Sequence, residues 1–347
     1  MDVELNMLVT YIRSSSYNNY AYCQMQYFIT YVLGYQTLSG KKAVQGTIVH
    51  KVLEVLASLQ LAKQGAGKKR KLVIKDDMLG DISINKSHLD TYDIVNDLLD
   101  QSFDSYTAQE SHHEWYKKER EDCRKWTWQA LQWNDGQFDP RKRNIVAPEP
   151  HFDIPIEEDW AKFKYTMPDG KEVEGQLAIK GTIDLVTQTD DDTIEVIDWK
   201  TGRRIDWATG EEKTYEKLLS DPQLLLYNYA ISKLFPDYKQ AIMTIFFIKD
   251  GGPFSMCFDR SDHDKFLEML KVRFQKIQQN VFPTPISSTR SSFKCTKLCH
   301  YYKNNWPGTD QNMCMYIEKH LKENGMDKTI KDCTREGFDI GFYEAPG

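Results

Sequence analysis

The sequence predicts an α/β fold with a central mixed sheet flanked by helices. Three observations predict it. Helical spacing of apolar residues dominates the chain as far as residue 135. From residue 144 to about 260 the pattern changes to short apolar strands separated by turn residues. Two further helical segments, 220–234 and 262–280, interrupt and close that strand region.

In order along the chain, residues 9–35 read as one helix rich in rings: Tyr11, Tyr17, Tyr20, Tyr22, Tyr27, Phe28, Tyr31 and Tyr35. Most of these rings suit core packing. Residues 46–63 place Ile48, Val49, Val52, Leu53, Leu56 and Leu59 on one broad helical face. Residues 64–72 are a polar, basic loop. Its Gly-Ala-Gly-Lys-Lys run mimics a phosphate loop, but Ala62 and Lys69 stand where such a loop needs Gly and Ser or Thr. The chain is therefore not expected to be a nucleotide-driven motor by itself. Residues 91–135 are helical, of mixed charge, and carry Trp115, Trp126, Trp128 and Trp133.

Strands follow at 144–156, 177–187 and 193–198. Met167-Pro168-Asp169-Gly170 marks one turn and Asp190-Asp191-Asp192 another. The helix at 220–234 opens on Ser-Asp-Pro, a good start signal. Strands 241–248 and 254–258 form a hairpin, and the tail after Pro283 is loop-rich and bears cysteines. The expected parts are a helical start at 1–63, a helical insertion at 64–143, the main core at 144–282 and a cysteine-bearing tail at 283–347.

At 347 residues the chain can bury a core unaided. Its net charge of −6 excludes a histone-like polycation but leaves nucleic acid open as a partner through a local basic path. No run approaches the roughly 18 apolar residues of a membrane span, so no membrane partner is expected. The acidic start, Met1-Asp2-Val3-Glu4, lacks an apolar leader segment, which suggests a cytoplasmic protein. Seven cysteines, an odd number, point to a reducing compartment, where clustered cysteines more often bind metal than pair.

The most informative segment is Glu195-Val196-Ile197-Asp198-Trp199-Lys200-Thr201-Gly202. Alternation on a strand puts Val196, Asp198 and Lys200 on one face and Ile197 and Trp199 on the other. A carboxylate and an ammonium ending an apolar strand make sense if the first binds a divalent cation and the second orients a water nucleophile. A second acid, Asp184, precedes Asp198 by 14 residues on the other arm of the predicted hairpin. Two carboxylates plus a backbone carbonyl suit Mg²⁺ or Mn²⁺. Gln223 and Tyr227, spaced i and i+4, share a helix face. His50 follows Gly46 in the apolar helix; alone it would read as structural, and only its companions make it a ligand candidate.

The order Gly-x-x-x-His, Gly-x-x-Asp, Asp-x-Lys-Thr-Gly, Gln-x-x-x-Tyr resembles the RecB-type branch of the PD-(D/E)XK nuclease superfamily. That branch includes the nuclease domains of RecB and AddAB, CRISPR-adaptation exonucleases and phage recombination exonucleases. The resemblance covers roughly residues 10–315. It implies a restriction-endonuclease-like core with a helical insertion and a cysteine-bound tail. It implies that His50, Asp184 and Asp198, with the Trp199 carbonyl, ligate Mg²⁺ or Mn²⁺, with Glu149 as an extra acid. It also implies that Lys200 is the catalytic lysine and that Gln223 and Tyr227 complete the active site.

Cys23, Cys295, Cys299 and Cys314 resemble the family's plan of one N-terminal and three C-terminal cysteines around an iron–sulfur cluster. The spacing departs from it: three and then fourteen residues separate the last three cysteines, where two and about five are usual. Four thiolates match a [4Fe–4S] cluster. A zinc site drawing on His300 or Cys333, or free thiols, stay open as alternatives. Cys123 and Cys257 read as structural.

Two basic runs, Lys68-Lys69-Arg70-Lys71 and Arg141-Lys142-Arg143, are candidates for following a phosphate backbone. The expected function is a metal-dependent DNA exonuclease working on single-stranded or processed free ends in recombination or repair. A bacterial or phage-infected cell is the expected setting, and a helicase or a single-strand-binding or annealing protein the expected partner. The alternatives are a non-catalytic DNA-binding scaffold of the same fold and a restriction-type endonuclease.

Overall fold

The computed structural model describes residues 7–167, 169–205, 210–259, 261–286 and 293–338. Pro168, in a predicted turn, lies outside them.

Residues 9–35 are not one helix. Tyr11–Ile12 (β1) is a short strand, Ser14–Tyr22 (α1) a helix, and Gln24–Tyr27 (α2) a second helix running into a wide turn at Phe28–Val32. Cys23 breaks the run: its backbone is extended, and its sulfur accepts the Gln26 N–H at 3.4 Å, capping α2. Helical spacing survives across the break because Tyr20, Tyr27 and Phe28 all bury in one core.

Lys41–Gly65 (α3) is the long helix that the apolar face predicted. The insertion is not purely helical. It opens with an antiparallel hairpin, Lys71–Asp76 (β2) and Gly80–Asn85 (β3), whose Leu72 and Ile82 pack into the same core as α3. Only then come Tyr92–Gln109 (α4) and Lys117–Gln132 (α5).

Each of the long strands expected at 144–156 and 177–187 divides in two. The pieces are Asn144–Pro148 (β4) and His151–Pro155 (β5), then, after the hairpin Lys162–Thr166 (β6) and Glu172–Gln176 (β7), Ala178–Thr182 (β8) and Leu185–Gln188 (β9). Thr193–Lys200 (β10) follows, buried from Thr193 to Trp199. Then come Tyr215–Leu218 (α6), Pro222–Leu234 (α7), Gln240–Phe247 (β11), Gly252–Phe258 (β12), Ser261–Gln278 (α8), His300–Lys303 (α9) and Met313–Cys333 (α10).

The main sheet has the order β12-β11-β10-β9-β4. β10 and β11 are parallel, joined by a crossover through α7, and the other pairs are antiparallel. A three-stranded sheet, β1-β8-β5, continues from it. β10 is buried on both faces, as a central strand with a crossover helix requires. Ile194 and Val196 pack toward the core of α7 and α8, while Ile197 and Trp199 pack toward α3, α4 and α5. The catalytic candidates therefore sit at one end of a sheet sandwiched between two helical layers.

Candidate active site

The division of the long strands builds the site. β4 pairs with β9 up to Pro148 opposite Leu185, and β5 pairs with β8 from His151 opposite Thr182. Between these ladders Glu149-Pro150 faces Ile183-Asp184. Pro150 has no N–H to give a ladder, and Glu149 has a φ of 43°, which no strand residue adopts. The N–H groups of Glu149 and Ile183 donate across the gap, to Asp184 O and Pro150 O, both at 3.1 Å. Asp184 is thus a hinge residue outside either ladder. Its Oδ2 accepts the Trp199 N–H at 2.8 Å, and its Oδ1 lies 3.4 Å from His50 Nδ1.

Two glycines admit the neighbouring elements. A Cβ on Gly46 would stand 2.6 Å from Thr201 Oγ1, so the glycine lets α3 approach the end of β10. A Cβ on Gly181 would stand 2.5 Å from the Phe152 ring, its cross-strand partner. These contacts account for the glycines of the Gly-x-x-x-His and Gly-x-x-Asp motifs.

Asp198 is 1% exposed. The Lys200 ammonium donates to its Oδ1 at 2.9 Å and lies 2.7 Å from its Oδ2. Oδ2 itself is buried and has no hydrogen-bond donor in good geometry. The α7 start supplies the rest. Asp221 caps the helix by accepting the Gln223 N–H at 2.9 Å, and Pro222 occupies its first turn. Gln223 Nε2 donates to Asp198 Oδ1 and to Tyr227 Oη, both at 2.9 Å. The Tyr227 hydroxyl donates to Thr182 O at 2.8 Å, tying α7 to the end of β8.

The charges are poised by opposing effects. Burial pushes the Asp198 carboxyl up to about 6 against the pull of the Lys200 ammonium. Burial also opposes ionisation of Asp184, but His50 and Lys200 outweigh it and its pKa is lowered. Burial works against a charged His50, yet the Asp184 carboxylate raises its pKa overall. Lys200 keeps its proton firmly: burial is outweighed by Asp198 and Asp184.

A cleft of about 590 Å³ opens beside these groups, lined by α3, Glu149, Asp184 and the Lys200–Gly202 turn. It contains a residue that sequence reasoning missed. Glu54 stands four residues after His50, one helical turn along the same face. Burial and the adjoining Glu149 push its carboxyl upward, while Lys51 opposes them. The i, i+4 spacing from His50 was the available signal. Lys51, 6% exposed, pairs with Glu54 at 2.6 Å, Asp77 at 3.0 Å and Asp76 at 3.2 Å, binding α3 to the β2–β3 hairpin.

Among the described residues no three His, Cys, Asp or Glu side chains are drawn into a formed metal cage. His50 pairs with Asp184, and Asp198 with Lys200, instead. The donor set still fits a hard divalent cation: two carboxylates and an imidazole, with one buried carboxylate oxygen lacking a hydrogen bond.

Cys23, Cys295, Cys299 and Cys314 come within electrostatic reach of one another. Each of the last three thiols is raised first by burial and further by others of the four. Cys333 is buried in α10, Cys123 donates to Gln45 O at 3.8 Å from α5, and Cys257 is exposed on β12.

The two basic runs part company. Lys68, Lys69 and Arg70 are exposed and line a groove with Lys63 and Lys86. Arg141 and Arg143 do not face solvent as expected. Arg141 grips Asp139 at 2.7 Å and donates to the carbonyls of Leu89 and Thr91. Arg143 pairs with the buried Glu195 and donates to Thr187. Both guanidinium groups hold the fold, because buried carboxylates need such partners.

A family model of the PD-(D/E)XK nuclease superfamily matches residues 14–303. A solved structure from Eubacterium rectale, a protein provisionally named an exonuclease, covers 89% of this chain and 92% of its own at 9% identity, with a TM-score of 0.45. No curated protein matches the sequence.

Proposed function

The chain belongs to the PD-(D/E)XK nuclease superfamily, and from that premise we propose that it is a metal-dependent deoxyribonuclease degrading DNA from a free end. The observation that carries the proposal is the convergence of Asp184, Asp198, Lys200 and His50 at the end of β10, beside an open cleft.

His50, Asp184 and Asp198, with the Trp199 carbonyl and Glu149 as further candidates, would hold Mg²⁺ or Mn²⁺. Such a cation, when bound, supplies positive charge to the scissile phosphate and acidifies an attacking water. The chain's own groups do the rest. Lys200, one-third exposed at its side chain, presents an ammonium to the cleft. It orients the attacking water by donating a hydrogen bond and offsets charge developing on the phosphate. Gln223 fixes the rotamer of Asp198, and Tyr227 fixes Gln223. Asp184 takes its orientation from the backbone N–H of Trp199.

We further propose that Cys23, Cys295, Cys299 and Cys314 hold a [4Fe–4S] cluster joining the two ends of the chain, with zinc as the competing occupant. The gathering of Cys23, Cys299 and Cys314 at the core where the N-terminal helices meet the tail supports this. A RecB-type role in recombination or repair, with a helicase or annealing partner, is the context this reading fits.

The test uses end-labelled linear DNA, single- and double-stranded, and a covalently closed single-stranded circle, in Mg²⁺ or Mn²⁺. Loss of linear DNA with survival of the circle is the expected result. Cleavage of closed circles would favour a restriction-type endonuclease. Binding without cleavage of any substrate would mean a non-catalytic scaffold.

A further inference from the structure

A second groove, of about 660 Å³, adjoins the carboxylate cleft at Lys200. The two share Lys200 and Gly202 as a common lip. Their chemistry differs. The cleft is lined by Glu54, Asp77, Glu149 and Asp184 together with Lys51, which pairs with the first two, and by His50 and Lys200. Among the described residues lining the second groove the only acid is Asp221, and Lys213 neutralises it at 2.6 Å while its other oxygen caps α7.

The groove also offers groups with unmet bonding capacity. Asn19 projects into it from α1, and its Oδ1 is buried without a hydrogen-bond partner. Arg203 lines it, is exposed, and has no acidic partner among the described residues. Outside the groove's own lining, Lys249 shares the field of Arg203, and Lys42 pairs with Asp122 at 3.5 Å. Lys249 lies 3.7 Å from the Trp126 ring centroid and Lys42 4.9 Å from it. The Lys249 ammonium is pushed down by burial first and then by Lys42 and Arg203, with Asp122 opposing them. A buried amide acceptor and the exposed Arg203 along one groove match a strand of bases and phosphates.

Resting on the nuclease reading, we propose that this groove binds a single nucleic-acid strand. Its phosphates would pass Arg203, one base would donate to Asn19, and the next phosphate would reach Lys200 and the carboxylate cleft.

The test is anisotropy of a fluorescein-labelled oligothymidylate in EDTA, followed by its hydrolysis in Mn²⁺. The variants are Arg203→Ala, Arg203→Glu and Asn19→Leu. Lys239→Ala is the control, since Lys239 pairs with Asp192 at the far end of β10. Arg203→Ala should weaken binding by roughly tenfold and reduce the salt slope by about 0.7. Arg203→Glu should weaken it further, and Asn19→Leu should raise KM with kcat kept. If the native protein binds and cleaves while all three variants match Lys239→Ala, the groove assignment is wrong and the nuclease reading stands. If the native protein neither binds nor cleaves, both fall together.

Discussion

The Tyr227 hydroxyl is a small group with a long reach. It donates to Thr182 O and receives Gln223, which in turn holds Asp198. Tyr227→Phe keeps the buried ring and removes only this link. The expected effect is about 0.5–1.5 kcal/mol on the transition state, roughly a twofold to thirteenfold fall in kcat with KM unchanged. An unchanged kcat would make Tyr227 a packing residue. Arg143 gives the opposite case. Removing its charge leaves Glu195 buried and ionised without a cation, which costs about 3–5 kcal/mol. Arg143→Met should lower Tm sharply while the salt dependence of DNA binding stays the same. A normal Tm with a reduced salt slope would return Arg143 to the DNA surface. Local sequence could not decide this, because the partner carboxylate lies 52 residues away on another strand.

At the scale of elements, β10 was readable because alternation alone sets its two faces. Val196, Asp198 and Lys200 do face α7, and Gln223 and Tyr227 do share a face, as their spacings require. The hinge between the two sheets was readable only in part. Apolar alternation in 144–156 shifts from Ile145 and Ala147 to Phe152 and Ile154 across Pro148-Glu149-Pro150, a local break signal. In 177–187 it runs on through Ile183 and Leu185, and only the tertiary bend at Asp184 divides it. The β2–β3 hairpin was hidden by the basic loop before it and the strong helices around it. The hinge carries its own prediction. Glu149 holds a left-handed backbone, an unfavourable feature, and shares a hydrogen bond with Glu54. Glu149→Gly should raise stability by about 1 kcal/mol and still reduce cleavage, seen as a higher Tm with lower activity. A lower Tm would mean that the glutamate stabilises the hinge.

Across the whole molecule, the N-terminal helices and the C-terminal tail share one core around Tyr27, Tyr301, Ile317 and Leu321. The four cysteines lie where these ends meet, so a cluster there would staple the chain's termini. Absorbance near 400 nm that disappears in Cys299→Ser, with a lower Tm, is the expected result; colourless protein carrying stoichiometric zinc would replace iron with zinc. Neither outcome changes the catalytic claim, which rests on Asp184, Asp198 and Lys200 at the end of β10. That claim is tested most directly by Lys200→Ala on linear DNA at saturating Mn²⁺. Removing one preorganised donor costs about 10²–10³ in rate. Hydrolysis should fall at least that far while the variant still binds Mn²⁺ and DNA. Hydrolysis at the native rate would contradict the assignment of the active site.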